Sequence, residues 1–155
     1  CIIMKRFSKL FNTLFGIGYF PYAPGTVASA FTVILWYFFL QFFSIYAYII
    51  LILLAIILSI YFINLHLTDH SSDDPSEIVI DEFIGQSLPL IFLTENSELF
   101  EIFFVFVCFR IFDIYKIYPV NLVEKVKGSV GVIGDDIIAG VYTIIFLMIY
   151  RIVLY

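Results

Sequence analysis

The chain has 155 residues, which is enough for one domain and too few for two of ordinary size. Hydrophobic residues make up 63% of it and charged residues 14%, whereas a soluble globular protein carries about 25% charged residues. This composition argues against a soluble enzyme, and a net charge of −5 argues against nucleic-acid binding. We therefore expect a single membrane-embedded domain over residues 1–155.

The chain begins with a short basic amphipathic segment at residues 5–9, followed by a glycine- and proline-rich loop at 16–26. The residues from Leu10 to Thr68 include no Asp, Glu, Lys or Arg. This stretch has room for two membrane spans of about 20 residues each. The polar interruption at 41–44 predicts a turn between them, so we expect a helical hairpin.

Apolar and polar segments alternate in the rest of the chain and predict three further helices. Ser76 is expected to cap the third helix, because Ser favours the N-cap position and Glu77 suits a first helical turn. The predicted spans are 27–40, 45–65, 77–93, 98–117 and a last one that begins at Asp135-Asp136. The fold class is therefore an all-α, multi-pass membrane helical bundle of about five apolar helices.

The distribution of Lys and Arg predicts the orientation of this bundle. If the basic N-terminus is cytoplasmic, the loops at 66–76 and 118–134 lie on that same side. Lys125 and Lys127 in the second loop then agree with the excess of positive charge in cytoplasmic loops. The turn near 95–98 contains no Lys or Arg, as expected for the outer side.

Seven charged residues lie within apolar helices, close to their predicted cytoplasmic ends. Such a placement costs free energy and is typical of functional residues. The seven residues are Asp81, Glu82, Arg110, Asp113, Lys116, Asp135 and Asp136. The spacing of Arg110, Asp113 and Lys116 predicts that they share one helical face.

The chemistry of this charged layer favours a metal and a phosphate. Five carboxylates near a low-dielectric boundary repel one another unless cations neutralise them, and oxygen ligands indicate Mg²⁺ or a similar ion. Arg110 and Lys116 in the same layer suit a phosphate group. Because the layer lies at the membrane surface, we expect chemistry on a phosphorylated lipid head group.

Other interpretations of these charges remain open. Asp135 and Asp136 could complement a helix dipole, and Arg110 and Asp113 could form an intrahelical ion pair. A small cation transporter or channel that uses the carboxylates as its ion path is the alternative function. The position of the charges at span ends, with Arg and Lys among them, favours the phosphate chemistry.

The glycine- and proline-rich loop is a candidate for substrate binding. It leads into a helix N-terminus, where free backbone N–H groups bind anions. Gly25 is therefore a candidate phosphate ligand, and Thr26 and Ser29 offer hydroxyl groups nearby.

Four blocks of this sequence, taken together, resemble the bacterial phosphatidylglycerophosphatase A family of membrane lipid phosphatases. They are Gly16–Ser29 with Ala23-Pro24-Gly25-Thr26, Asp74–Gly85 with Ile80-Asp81-Glu82, Phe109–Lys116, and Gly128–Gly140 with Asp135-Asp136. The resemblance implies a Mg²⁺-dependent enzyme of phospholipid biosynthesis in the bacterial cytoplasmic membrane. Its reaction would convert phosphatidylglycerophosphate to phosphatidylglycerol and phosphate.

The resemblance also implies roles for individual residues. All seven charged residues would form the active site, and five of them would be metal ligands. The implied ligands are Asp81, Glu82, Asp113, Asp135 and Asp136. Substrate binding would involve Arg110 and Lys116 together with Gly25, Thr26 and Ser29.

Other phosphatase chemistries lack their sequence motifs in this chain. There is no Cys-x5-Arg motif and no Asp-x-Asp-x-Thr motif, and neither His lies in a block that carries both Lys and Arg. Direct attack by a metal-activated water remains. Arg110 and Lys116 would then stabilise the transition-state charge, and Glu82 is a candidate general base.

Overall fold

The computed structural model describes residues 2–69, 75–94 and 96–154, and these residues form helices and connecting turns. Its helices are α1 (Ile2–Asn12), α2 (Pro24–Phe42), α3 (Ile45–Asp69), α4 (Ile80–Leu90), α5 (Leu99–Tyr115), α6 (Val120–Val123) and α7 (Ser129–Leu154). Short 3₁₀ turns at Ile17–Tyr19 and Pro75–Glu77 precede α2 and α4. The all-α prediction is confirmed, with α2, α3, α4, α5 and α7 as the main helices.

Three helices in the described part of the chain are long and apolar enough to cross a membrane. They are α2, residues Ile45–His66 of α3, and α7. The predicted hairpin is present, and its turn at residues 43–44 coincides with the polar interruption in the sequence. These helices fit a membrane protein.

Helix α4 is shorter than the predicted third span. It begins at Ile80 with Val79 at its N-cap, so the prediction that Ser76 caps this helix is wrong. The backbone N–H of Val79 donates a hydrogen bond to the carbonyl of Asn12 (3.0 Å), which holds this segment against α1. With 11 residues, α4 is about 17 Å long and does not cross a bilayer core of about 30 Å by itself.

Helix α7 begins six residues before its predicted start. The backbone N–H of Ser129 donates to the side-chain oxygen of Asn64 (3.0 Å), so α3 caps the first turn of α7. Asp135 and Asp136 consequently lie in the second turn, buried in the bundle. The prediction that they mark the helix N-terminus, where they would complement its dipole, is wrong.

Two glycines allow α4 and α7 to approach each other closely. A Cβ atom on Gly85 would lie 2.6 Å from the carbonyl oxygen of Asp136, and one on Gly140 would lie 2.6 Å from the carbonyl oxygen of Gly85. Such distances leave no space for any side chain. The close contact brings the first turn of α4 beside the second turn of α7.

Helix α1 is fixed to the end of α3. The side chains of Ser8 and Asn12 both donate hydrogen bonds to the carbonyl oxygen of Phe62 (2.9 Å each). Because Asn12 also accepts the hydrogen bond from Val79, the end of α1 joins α3 to the segment that precedes α4. Helix α1 therefore lies at the end of the bundle where α4 begins.

Candidate functional site

Three carboxylates form the centre of the site. Asp81 and Glu82 lie in the first turn of α4, and Asp136 lies opposite them on α7. One carboxylate oxygen of each residue lies within 4.8 Å of the others. We call these three residues the acidic cluster.

The acidic cluster has the chemistry of a site for a hard cation. One carboxylate oxygen of Asp81 and one of Glu82 are buried and have no hydrogen-bond partner among the described residues. Buried oxygens without partners cost free energy, and neighbouring negative charges in a low-dielectric environment add to this cost. A divalent cation with oxygen ligands, such as Mg²⁺, would relieve both costs. The residues present therefore fit the predicted metal.

Arg110 projects from α5 beside the acidic cluster. Its Nη1 atom lies 2.6 Å from a carboxylate oxygen of Asp113 and 3.5 Å from the hydroxyl oxygen of Ser29. The intrahelical ion pair considered from the sequence is thus present. It holds the guanidinium group near the start of α2 and close to Glu82, since a Cβ on Gly25 would contact both groups.

Lys116 lies just after α5 and reaches other elements of the site. The helix ends at Tyr115 and Lys116 has a left-handed backbone (φ 45°), so the prediction that it shares a helical face with Arg110 and Asp113 is wrong. Its Nζ atom lies 2.6 Å from Glu124 and 3.4 Å from Asp135. Lys116 thus connects the end of α5 to α7.

The carboxylates around Lys116 keep it cationic. Burial lowers the pKa of its amino group, but the hydrogen bond that it donates to Glu124 and the negative charges of Asp135 and Glu124 outweigh burial and raise the pKa above its ordinary value. Lys116 therefore carries a positive charge throughout the neutral range.

A cavity of about 600 Å³ joins these groups. Its wall includes the start of α2, the start of α4 and the segment that leads into α7. The charged residues that line it are Asp81, Glu82, Arg110, Lys116, Glu124 and Asp135. The volume lies within the range of small-molecule binding sites, which is about 300–1,000 Å³. A polar group that carries a phosphate therefore has both space and cationic partners here.

The structure brings all seven predicted charged residues to one end of the bundle, where the five predicted metal ligands have different partners. Asp81, Glu82 and Asp136 face one another. Asp113 pairs with Arg110 and also lies within hydrogen-bonding distance of Asp136, and Asp135 pairs with Lys116. Asp113 and Asp135 thus hold the cationic side chains in place.

The three predicted substrate ligands on α2 occupy different positions. Gly25 lines the cavity, and Ser29 is fully buried behind it against Arg110. Thr26 is half-buried, and its backbone N–H donates to the carbonyl of Ala23 (3.0 Å). Because the Thr26 N–H is already hydrogen-bonded and Pro24 has no N–H, the first turn of α2 offers few free donors to an anion.

Sequence reasoning missed two residues near the site. Glu124 belongs to the polar connection before α7, and only the folded structure reveals its contact with Lys116 and its place in the cavity wall. Gln86 is fully buried on α4, and both polar atoms of its amide group lack hydrogen-bond partners within the described ranges. Its spacing of four residues from Glu82 places it on the same helical face, and that spacing is a usable sequence signal.

Comparisons with known proteins agree with this geometry. Residues 10–151 match the family model described as phosphatidylglycerophosphatase A. A protein of Bacteroides thetaiotaomicron, provisionally named phosphatidylinositol-3-phosphatase, is 37% identical over 96% of this chain and 98% of its own length. Phosphatidylglycerophosphatase A of Escherichia coli is 34% identical over 82% of this chain and 73% of its own length. No solved structure matches the chain.

Proposed function

Because the chain belongs to the phosphatidylglycerophosphatase A family of lipid phosphatases, we propose that it hydrolyses phosphatidylglycerophosphate to phosphatidylglycerol and inorganic phosphate. The observation that carries this proposal is the cavity in which Asp81 and Glu82 of the acidic cluster lie beside Arg110 and Lys116. The alternative function, a cation transporter or channel, has no support from the family match.

The acidic cluster would hold Mg²⁺ through Asp81, Glu82 and Asp136. When bound, the metal would supply Lewis acidity toward the phosphoryl group and lower the pKa of the attacking water. Asp113 and Asp135 would act differently, because each is paired with a cationic side chain in the structure. This division supports a smaller metal site than the five carboxylates expected from the sequence.

The cationic side chains would bind the phosphate and stabilise its charge during the reaction. Arg110 is held by Asp113 and Ser29, and Lys116 by Glu124 and Asp135, so both are positioned before substrate arrives. Such preorganised charges stabilise a transition state without further reorganisation. The water oxygen bonds to phosphorus, and a carboxylate accepts the water's proton. The bond from phosphorus to the glycerol oxygen breaks, and that oxygen takes up the proton from the carboxyl group to leave as the hydroxyl group of phosphatidylglycerol.

The position of the cavity suits a lipid substrate. It lies where α2, α4 and α7 begin, and two of these helices are long and apolar enough to cross a membrane. A phospholipid could keep its acyl chains in the bilayer while its head group enters the cavity. We place this end of the bundle at the cytoplasmic face of the bacterial inner membrane, on the basis of the positive residues in the loop at 118–134.

Phosphate release by the purified protein tests the proposal. With Mg²⁺ present, we expect rapid release from phosphatidylglycerophosphate and none after chelation with EDTA. Phosphatidylinositol 3-phosphate is a suitable competing substrate, because the Bacteroides relative carries that name. Faster hydrolysis of this lipid would contradict the proposed substrate, and full activity in EDTA would contradict the metal.

A further inference from the structure

A second group of positive residues lies on α1, away from the cavity lined by Asp81, Glu82, Arg110 and Lys116, which we call the catalytic cavity. Lys5, Arg6 and Lys9 border a cavity of about 340 Å³ between α1 and the end of α3, which we call the basic cavity. Leu65 and His66 of α3 form its opposite wall. Within the described part of the chain, this cavity shares no lining residue with the catalytic cavity.

The other side of α1 is apolar and exposed. Its exposed apolar side chains are Ile3, Met4, Phe7 and Leu10. Ile3 is 78% exposed and Phe7 is 55% exposed, which is unusual for side chains of this size in an aqueous environment. A helix with one basic and one apolar side is typical of segments that lie in the membrane interface.

The apolar side of α1 continues the lipid-facing surface of α3. The ring of Phe7 packs against the ring of Phe62 on α3, with 5.4 Å between their centres. Ile3, Met4, Phe7 and Phe62 line a further, almost entirely apolar cavity of about 390 Å³. Leu65 of the basic cavity also lines a mostly apolar cavity of about 420 Å³ on α3, together with Ile57, Ile60, Tyr61 and Asn64. Acyl chains that lie along α3 would therefore meet apolar side chains directly beside the basic cavity.

The basic cavity is firmly positioned. Ser8 and Asn12 donate hydrogen bonds to the carbonyl of Phe62 from the buried side of α1, so the positions of the cationic residues relative to α3 are fixed. The hydrogen bond from Val79 to Asn12 also ties α1 to the segment that leads into α4. The basic cavity thus lies at the same end of the bundle as the catalytic cavity.

We propose that the cavity between α1 and α3 binds an anionic phospholipid of the surrounding bilayer. The lipid phosphate would lie among Lys5, Arg6 and Lys9, and its acyl chains would follow the apolar side chains of α1 and α3. The charge of the cavity selects an anionic head group, and the adjoining apolar surface selects a lipid over a soluble anion. Such a site would anchor α1 in the interface and keep anionic lipid close to the catalytic cavity.

Native mass spectrometry of the full chain in detergent tests this site without any reaction. The probe is phosphatidylserine offered together with an equal amount of phosphatidylcholine, because phosphatidylserine is anionic and is neither the proposed substrate nor its product. The paired variant Lys5→Gln with Arg6→Gln removes two charges of the cavity. The matched control, Lys125→Gln with Lys127→Gln, removes two charges from an exposed segment at the same end.

We expect the wild-type protein and the control to retain phosphatidylserine in preference to phosphatidylcholine. In the Lys5 and Arg6 variant this preference should fall at least about fivefold, because one basic residue near an anionic membrane surface contributes an effect of that size. Its hydrolysis of detergent-solubilised phosphatidylglycerophosphate should remain normal, which shows that it is folded. Because lipid binding and hydrolysis are measured separately, failure of the site is distinguishable from failure of the proposed phosphatase activity.

Three outcomes would overturn the proposal. The first is an equal loss of preference in the control variant, and the second is a wild-type protein without preference for phosphatidylserine. The third is displacement of phosphatidylserine by millimolar inorganic phosphate, which would indicate a site for the free anion.

Discussion

Gly25 lies so close to Glu82 that the carboxylate of Glu82 occupies the space where a side chain at position 25 would stand. A Cβ atom there would also lie 3.4 Å from Nη1 of Arg110. The start of α2 therefore determines where both groups lie. Glycine is required here by the lack of space beside the acidic cluster, and not by its backbone conformation.

Replacing Gly25 with alanine should abolish most activity without unfolding the protein. The new methyl group would push the carboxylate of Glu82, which is the flexible end of its side chain and can move at little cost to stability. A misplacement of about 1 Å in a catalytic group costs about a hundredfold in rate. Phosphate release and thermal unfolding of the Gly25→Ala protein in detergent measure the two effects.

The matched variant for comparison is Gly85→Ala. Its Cβ would lie 2.6 Å from the Asp136 carbonyl and 2.7 Å from the ring of Phe109, and neither group can move without separating helices. We expect a clear fall in thermal stability for Gly85→Ala. An equal fall for Gly25→Ala would show that Gly25 has a packing role and contradict the first prediction.

The acidic cluster and the cationic side chains should respond differently to mutation. Asp136→Asn removes a charge that would hold Mg²⁺, so activity should fall and the Mg²⁺ concentration needed for half-maximal activity should rise. Arg110→Ala leaves the acidic cluster in place, so turnover should fall about a hundredfold with little change in the Mg²⁺ requirement. Phosphate release measured against Mg²⁺ concentration compares the two variants. Near-normal activity in both variants would show that these charges are structural.

Glu124 should affect the reaction through Lys116. Glu124→Gln removes one of the two carboxylates that hold the amino group, while Asp135 remains. Because Glu124 is half-exposed and such ion pairs contribute at most about 1 kcal/mol, we expect a loss of activity of about fivefold or less. The raised pKa of Lys116 should also move back toward its ordinary value. Kinetics of the Glu124→Gln protein test this role of Glu124. The control is Lys125→Gln, which removes a neighbouring charge.

An ion pair at the opposite end of the bundle should contribute stability but not activity. Arg151 at the end of α7 lies 2.7 Å from Glu101 on α5, and its guanidinium also donates to the carbonyl of Phe92 (3.1 Å). Glu101 is buried, but Arg151 is partly exposed, so we expect Arg151→Met to lower the free energy of unfolding by about 1–3 kcal/mol. Chemical denaturation and phosphate release measure both properties. A large loss of activity in the folded variant would contradict this separation.

The orientation in the membrane can be tested by cysteine labelling in intact bacteria, after replacement of Cys1 and Cys108. Asn96→Cys lies in the turn before α5 and should react with a membrane-impermeant reagent added outside. Lys127→Cys lies at the end that contains the catalytic cavity and should react only after the membrane is opened. The reverse pattern would place the catalytic cavity outside the cytoplasm.

Much of the fold follows from local sequence properties. The apolar run between Leu10 and Thr68 determines a hairpin, because backbone groups in a membrane must satisfy their hydrogen bonds within helices. The charged residues in apolar segments indicated a functional site for a similar reason, since burying a charge is costly. Segment 70–74, part of the predicted loop at 66–76, lies outside the described residues.

Contacts between distant segments decided the rest. The sequence alone could not show that Asn64 extends α7 back to Ser129, or that Asn12 delays the start of α4. The sequence also could not show which of the five carboxylates face one another and which pair with a cationic side chain, because spacing along a helix does not reveal which charge faces which partner. The close crossing at Gly85 and Gly140 determines that division. It brings Asp136 to the first turn of α4, while Asp113 and Asp135 remain beside Arg110 and Lys116.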